Sequence, residues 1–238
     1  MRSINNFEKA KRSYLTSIRI FWLLFALFYG QISLSQTHDS IKLIKIDSVV
    51  GDLDNDNIDE LVVVYDSNLE AELGNVRFLH IYKKNTDKAY KNNPEWLLLK
   101  SSNKAIYPSE SGGMMGSGYE NMEIINGILT IHHFGGSRDK WSKTHKYRYQ
   151  NDDFYLIGFS SSYMNLPSYE SVDYNLSTGK IIFEKEIDEY DESGEPTGKV
   201  IKHYDTLLHK IDLPRIDNIT LGTQKIYSDK TGITVYLF

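Results

Sequence analysis

Short segments rich in β-branched and aromatic residues alternate with turn-forming residues along most of this chain. Asn126-Gly127, which lies between two apolar runs, is the strongest hairpin signal, because both residue types tolerate the positive φ of a tight turn. No amphipathic helical pattern longer than about two turns interrupts the alternation, and Leu207 to Ile211 is a short helix candidate. The pattern therefore predicts an all-β fold, built as an antiparallel meander, an open sheet or a sandwich.

The expected strands share this composition and are bounded by polar or glycine-containing turns. They are Ile41 to Val50, Leu61 to Tyr65, Val76 to Lys83, Trp96 to Lys100, Met122 to Ile125, Ile128 to Phe134, Trp141 to Gln150, Phe154 to Phe159, Tyr169 to Tyr174, Lys180 to Tyr190, Lys199 to Tyr204, Ile226 to Ser228 and Ile233 to Phe238. In the segment that begins at Trp141, the odd positions are predicted to share one face.

The segment Gly51 to Tyr65, GDLDNDNIDELVVVY, places carboxylates at alternate positions immediately before an apolar strand. Hard cations bind in shells of oxygen ligands, and carboxylates crowded into one turn repel each other unless a cation neutralises them. The predicted calcium ligands are the side chains of Asp52, Asp54, Asp56 and Glu60 and the carbonyl of Ile58, at loop positions 1, 3, 5, 9 and 7. The alternative is a solvated acidic turn without a metal. A structural role for the ion is favoured over a catalytic one.

The loop does not match an EF-hand, which has glutamate at position 12 and a helix on each side. Here position 12 is Val63, and the segments on both sides are predicted strands. It resembles instead the calcium loop of FG-GAP and VCBS-type repeats, the units of integrin-type propellers, in which Asp-x-Asp-x-Asp-Gly-x-x-Asp precedes a Leu-Val-Val strand. The resemblance implies the same ligand set, with Glu60 in place of the last Asp and Asn57 in place of Gly. One copy does not make a complete propeller, which needs about four blades or more. The segment His132 to Phe159 resembles exported bacterial proteins, and that resemblance implies no activity.

The first 35 residues have the three-part form of a secretory signal peptide. A basic region precedes the apolar run Ile20 to Tyr29, and Ser33 and Ser35 suit cleavage before Gln36. The run has ten residues, whereas a spanning helix needs about twenty. We therefore predict an exported protein, periplasmic or extracellular, with no stable membrane insertion after cleavage. The alternative is the same domain tethered by an uncleaved N-terminal helix.

Charge and cysteine content exclude several classes of function. The formal net charge is −5, and removal of residues 1–35, with five basic residues and one acidic residue, changes it to −9. An acidic protein without a basic run is not expected to bind nucleic acid. The chain has no cysteine, which excludes disulfides, thiolate metal sites and thiol nucleophiles. A bound calcium ion could instead cross-link and stabilise the fold.

The sequence changes character after Leu166-Pro167. We therefore expect a signal peptide at 1–35, a calcium-loop β-domain at 36–166, and a C-terminal β-hairpin extension at 167–238 that packs on the same domain.

Two glycine-rich stretches, Ser111 to Gly118 and Phe134 to Trp141, are candidates for a contact surface on a rigid sheet. The second presents Arg138, Lys140 and Trp141, which are predicted to bind an unidentified protein or glycan. Simple turn formation is the alternative for both stretches.

The histidines offer a competing hypothesis. His132 and His133 are adjacent on a predicted strand and therefore face opposite sides. A secreted hydrolase would combine one of them with His145 and a carboxylate, but no catalytic motif supports this assignment and no catalytic residue is proposed. The leading hypothesis is a calcium-stabilised binding module of the cell envelope, and structural histidines are expected.

Overall fold

The computed structural model describes residues 40–86, 95–222 and 224–238. The predicted signal peptide and its cleavage site lie outside the described residues. Antiparallel strands account for most of the described chain, in agreement with the predicted class. The strands are β1 (Leu43–Gly51), β2 (Glu60–Ala71), β3 (Gly74–Lys84), β4 (Trp96–Ser102), β5 (Tyr119–Ile125), β6 (Ile128–Gly136), β7 (Lys140–Gln150), β8 (Asp153–Asn165), β9 (Ser168–Asn175), β10 (Lys180–Tyr190), β11 (Pro196–Leu208), β12 (Lys225–Ser228) and β13 (Ile233–Tyr236).

The strands follow one another as a meander that is divided into separate sheets. Strands β1 to β4 form a four-stranded sheet, β5 to β11 form a seven-stranded sheet, and β12 and β13 form a small ribbon. Within each sheet, every strand pairs with its neighbours in sequence, as strands joined by hairpins do. The described part of the chain forms no closed barrel. It forms no propeller either, as predicted.

The expected helix at Leu207 to Ile211 is wrong. Leu207 and Leu208 belong to β11, and the amide of His209 donates to the carbonyl of Gly179 at 2.8 Å, which extends the sheet pairing. The side chain of Leu207 packs against the core, whereas Leu208 is 82% exposed. The two neighbours therefore alternate with the period of a strand. Within the described ranges the helical element is a 3₁₀ turn, Gly113–Met115.

No helix among the described residues has both the length and the apolar character needed to cross a membrane.

One apolar core receives side chains from the inner faces of both large sheets. Alternation selects these side chains, because successive residues of a strand point to opposite faces. The contributions include Val62, Val64, Leu79 and Ile81 from the four-stranded sheet, and Leu129, Ile131, Tyr147, Phe159 and Ile181 from the seven-stranded sheet. The C-terminal residue Phe238 also enters the core, where its ring stacks on Tyr174 at 6.4 Å between centroids.

Turn residues adopt the backbone conformations that their types allow. Asn126 and Gly127 have φ of 53° and 72° and connect β5 to β6, so the predicted hairpin is confirmed. Asn151 and Asp152, at φ of 49° and 60°, connect β7 to β8. Leu166-Pro167, the expected boundary, lies in the turn between β8 and β9, and the seven-stranded sheet continues across it.

Candidate functional site

The acidic loop connects β1 to β2, as the two flanking strand patterns predicted. Asn55 and Asn57 have φ of 62° and 65°, a region that asparagine tolerates better than most residues. Asn57 therefore adopts a left-handed conformation of the kind that glycine accepts most readily. The side chain of Asn55 lies beside the turn between β5 and β6, where a Cβ on Gly127 would be 3.2 Å from its Oδ1.

Three of the predicted ligands converge. One carboxylate oxygen from each of Asp52, Asp54 and Glu60 lies within 4.8 Å of the others. Glu60 is fully buried, its Oε2 accepts from the amide of Leu53 at 2.9 Å, and its Oε1 has no hydrogen-bond partner. Oδ1 of Asp52 is also buried without a partner, while Oδ2 accepts from the amide of Asn57 at 2.9 Å. Unpartnered buried carboxylate oxygens are costly, and they fit the oxygen shell of a divalent cation.

The environment of Glu60 resists its ionisation. Burial raises the pKa of the Glu60 carboxyl above its ordinary value, and the negative charge of Asp54 acts in the same direction. The amide of Leu53 partly offsets this effect by donating to the carboxylate. A cation beside Glu60 would therefore lower the cost of keeping this carboxylate charged.

Lys83 of β3 contacts the acidic loop, and the sequence interpretation missed it. Its Nζ lies 2.9 Å from Oδ2 of Asp54 and 2.7 Å from Oδ2 of Asp56. Hydrogen bonding to Lys83 lowers the pKa of Asp56, and hydrogen bonding to Asp56 raises the pKa of Lys83. Lys83 is separated from the buried residues Leu79 and Ile81 by even numbers of positions, so it lies on the same, inner face of β3. This spacing could have indicated its position from the sequence.

Asp56 is engaged differently from the three converging carboxylates. Its Oδ1 accepts from the amide of Ile58 at 2.8 Å, and its Oδ2 accepts from Lys83. Both oxygens therefore have partners, and the group of three converging oxygens does not include Asp56. The contact with the Ile58 amide holds the backbone at the residue whose carbonyl is a predicted ligand.

His133 and His145 meet in the core, and His132 faces the other way. The rings of His133 and His145 are 1% and 0% exposed, with centroids 5.4 Å apart. Their four ring nitrogens have no partner, so no described carboxylate is bonded to either ring. Burial lowers both pKa values, that of His145 to about 3, and the pair is neutral at pH 7. On the opposite face, Nε2 of His132 lies 3.5 Å from Oε1 of Glu123.

The two glycine-rich stretches contact each other. The amide of Gly136 donates to the carbonyl of Gly112 at 2.9 Å, and Nζ of Lys140 lies 3.9 Å from Sδ of Met115. Lys140 is the first residue of β7, and Arg138 lies in the preceding turn. The Arg138 side chain is 85% exposed and pairs with its neighbour Asp139 at 3.2 Å.

Trp141 lies on the inner face of the seven-stranded sheet, with the parity predicted for β7. Its ring covers Gly135, where an added Cβ would be 2.5 Å from Cζ2 of the indole, so the glycine makes room for the tryptophan. Trp141 is paired in register with Tyr163, and its ring lies 5.8 Å from that of Tyr107. A cavity of about 400 Å³ opens beside it. Its walls include Trp141, Lys143, Ser161, Tyr163, Glu170, Phe183 and Tyr236.

Comparison with protein-family models, curated proteins and solved structures found no match to the chain. The acidic loop and the cavity beside Trp141 are thus the two features of the described residues on which a functional proposal rests.

Proposed function

We propose that the protein is an exported, calcium-stabilised β-domain that binds a protein or glycan partner in the cell envelope, a function favoured over that of a secreted hydrolase. One observation carries the calcium site. The fully buried carboxylate of Glu60 has an unpartnered oxygen in a group with Asp52 and Asp54. Export rests on the sequence pattern of residues 1–35 alone.

The location of the loop supports a structural role for the ion. The loop follows β1 of one sheet and lies beside the turn between β5 and β6 of the other, through the approach of Asn55 to Gly127. An ion held by Asp52, Asp54 and Glu60 would fix this junction and compensate the charge on the buried carboxylate.

Thermal unfolding tests the calcium site. Calcium at about 100 times its dissociation constant is expected to stabilise the fold by about 2.7 kcal/mol, if the unfolded chain binds none. Asp52→Asn removes one ligand charge and is expected to abolish most of this response. Asp59→Asn is the matched control, because Asp59 is an exposed acid of the same loop outside the converging group. A melting temperature that is indifferent to calcium and to chelator would exclude a stabilising ion.

Partner binding is assigned to the surface around Trp141, because this aromatic side chain lines an open cavity. Capture of a partner from envelope extract is expected to weaken when Arg138 and Trp141 are both changed to Ala, since aromatic and arginine side chains dominate many binding surfaces. Arg148→Ala is the control, because Arg148 is exposed on the opposite face of β7.

The melting temperature of each variant separates lost binding from lost folding. If the folded double variant still captures the partner at full strength, the contact surface lies elsewhere on the protein. Loss of capture by Arg148→Ala would point to the outer face of the sheet.

A further inference from the structure

We infer that a groove over Trp141, Lys143 and Tyr163 binds an acidic oligosaccharide, one that carries uronic acid carboxylates. The inference rests on the proposed binding function and names the chemical class of the partner.

Two adjoining cavities make the groove. The first has a volume of about 400 Å³ and the second about 340 Å³, and both are lined by Trp141, Lys143 and Tyr163. Beyond these shared residues, the first extends to Phe183 and the second to Leu73. Each volume lies within the range of about 300 to 1,000 Å³ that is usual for small-molecule sites. The pair has room for a ligand with more than one unit.

The floor of the groove favours recognition through side chains. It lies on β7 and β8, which are inner strands of the seven-stranded sheet and are paired on both sides. A peptide that binds by strand addition needs an exposed sheet edge, which this floor does not offer. Trp141 and Tyr163 line both cavities instead, and aromatic rings attract polarised C–H groups such as those of a sugar ring.

The charges in the groove favour an anionic ligand. Glu170 lines the first cavity and is bound by Lys185 at 2.5 Å. Asp139, which accepts from the hydroxyl of Tyr163 at 3.3 Å, is paired with Arg138. Nζ of Lys143 donates to the hydroxyl of Tyr107 at 2.9 Å, and no carboxylate among the described residues forms an ion pair with it. These two acids are thus paired with cations, whereas the Lys143 ammonium contacts the hydroxyl and the ring of Tyr107, 5.4 Å from the ring centroid, and no described carboxylate. A ligand carboxylate would complete this charge with a charge-assisted hydrogen bond.

Calorimetric titration with defined hexasaccharides tests the inference. The probes are fragments of hyaluronan, polygalacturonate and polymannuronate, each compared with its carboxyl-reduced form at a fixed calcium concentration. At least one acidic fragment is expected to bind, and its reduced form to bind about tenfold to a hundredfold more weakly, the range for loss of a charge-assisted hydrogen bond.

Variants locate the site. Lys143→Gln is expected to weaken binding of the acidic fragment to the level of the reduced form, and Lys143→Arg to restore it. Tyr163→Ala removes a stacking face and is expected to weaken binding of both forms. Lys146→Gln is the control, because Lys146 is exposed on the opposite face of the same strand. A loss in Lys146→Gln equal to that in Lys143→Gln would overturn the assignment to the groove.

Three other outcomes would overturn the inference: no acidic fragment binds, reduction of the carboxyls has no effect, or a hexapeptide of glutamate binds as tightly. Capture of an envelope partner separates this failure from that of the proposed function. If the fragments fail while capture persists and depends on Trp141, the ligand class is wrong and the binding function stands. If capture fails as well, both are wrong.

Discussion

Lys83 already supplies one positive charge to the acidic loop. Its ammonium contacts Asp54, a member of the converging group, and Asp56, which lies outside it. Calcium that recruits Asp54 therefore competes with Lys83 for the same carboxylate. The lysine stabilises the loop without an ion and, by charge repulsion, would weaken the binding of an ion under the proposed calcium site.

Lys83→Met tests this competition. The variant is expected to bind calcium about threefold to tenfold more tightly, a modest gain because the lysine is partly exposed and partly screened. Without calcium it is expected to melt at a lower temperature than the wild type, because the carboxylates then repel each other. Lys84→Met, which changes the exposed neighbour, is the control. Weaker calcium binding by Lys83→Met would show that the lysine organises the ligands instead of competing.

At the scale of the strands, the acidic loop begins where β1 approaches β5 of the other sheet. The hydroxyl of Tyr119 donates to Oδ2 of Asp47 at 2.5 Å, which joins the two strands through side chains. At the end of β1, a Cβ on Gly51 would lie 2.9 Å from Cγ2 of Ile124, so the backbone of Gly51 packs closely against the side chain of Ile124. The loop follows Gly51 immediately. An ion in the loop would therefore act on the contact between the sheets as well as on one hairpin.

At the scale of the whole molecule, the buried histidine pair connects stability to pH. Burial lowers the pKa of His133 and of His145 below the ordinary 6.5, and the charge of Lys143 adds to the effect. In the unfolded chain both rings take up protons near their ordinary pKa, while in the folded protein they stay neutral. Stability from the neutral pair is therefore present above about pH 6.5 and is lost as the pH falls below it, toward the folded pKa values.

Urea unfolding between pH 7 and pH 5 is expected to show this loss. Each histidine contributes a slope of up to about 1.4 kcal/mol per pH unit below its unfolded pKa. His145→Phe, which suits the contact with Phe159 at 5.2 Å, is expected to reduce the slope. His132→Gln, on the half-exposed opposite face, is the control. An unchanged slope in His145→Phe would mean that this ring is already protonated in the folded protein or is not buried.

The all-β class, the strand positions and the opposite orientations of His132 and His133 were predictable from the sequence alone. These features depend on local chemistry: alternation along a strand, and residues such as Asn126 and Gly127 that accept positive φ. The convergence of Asp52, Asp54 and Glu60 could also be predicted from the sequence, because one short loop contains all three residues. Leu207 to Ile211 misled the interpretation, since a short apolar run does not distinguish a helix from a strand.

Only the tertiary structure decided which distant residues meet. Lys83 reaches the acidic loop because β3 pairs with β2. His133 lies beside His145 because β6 pairs with β7 in one particular register. The division of the meander into two large sheets and a small ribbon, and the groove beside Trp141, also depend on pairing between strands. A shift of one residue in register turns every side chain of a strand to its other face. Strand periodicity therefore specifies the faces of each element, whereas the packed register specifies the sites.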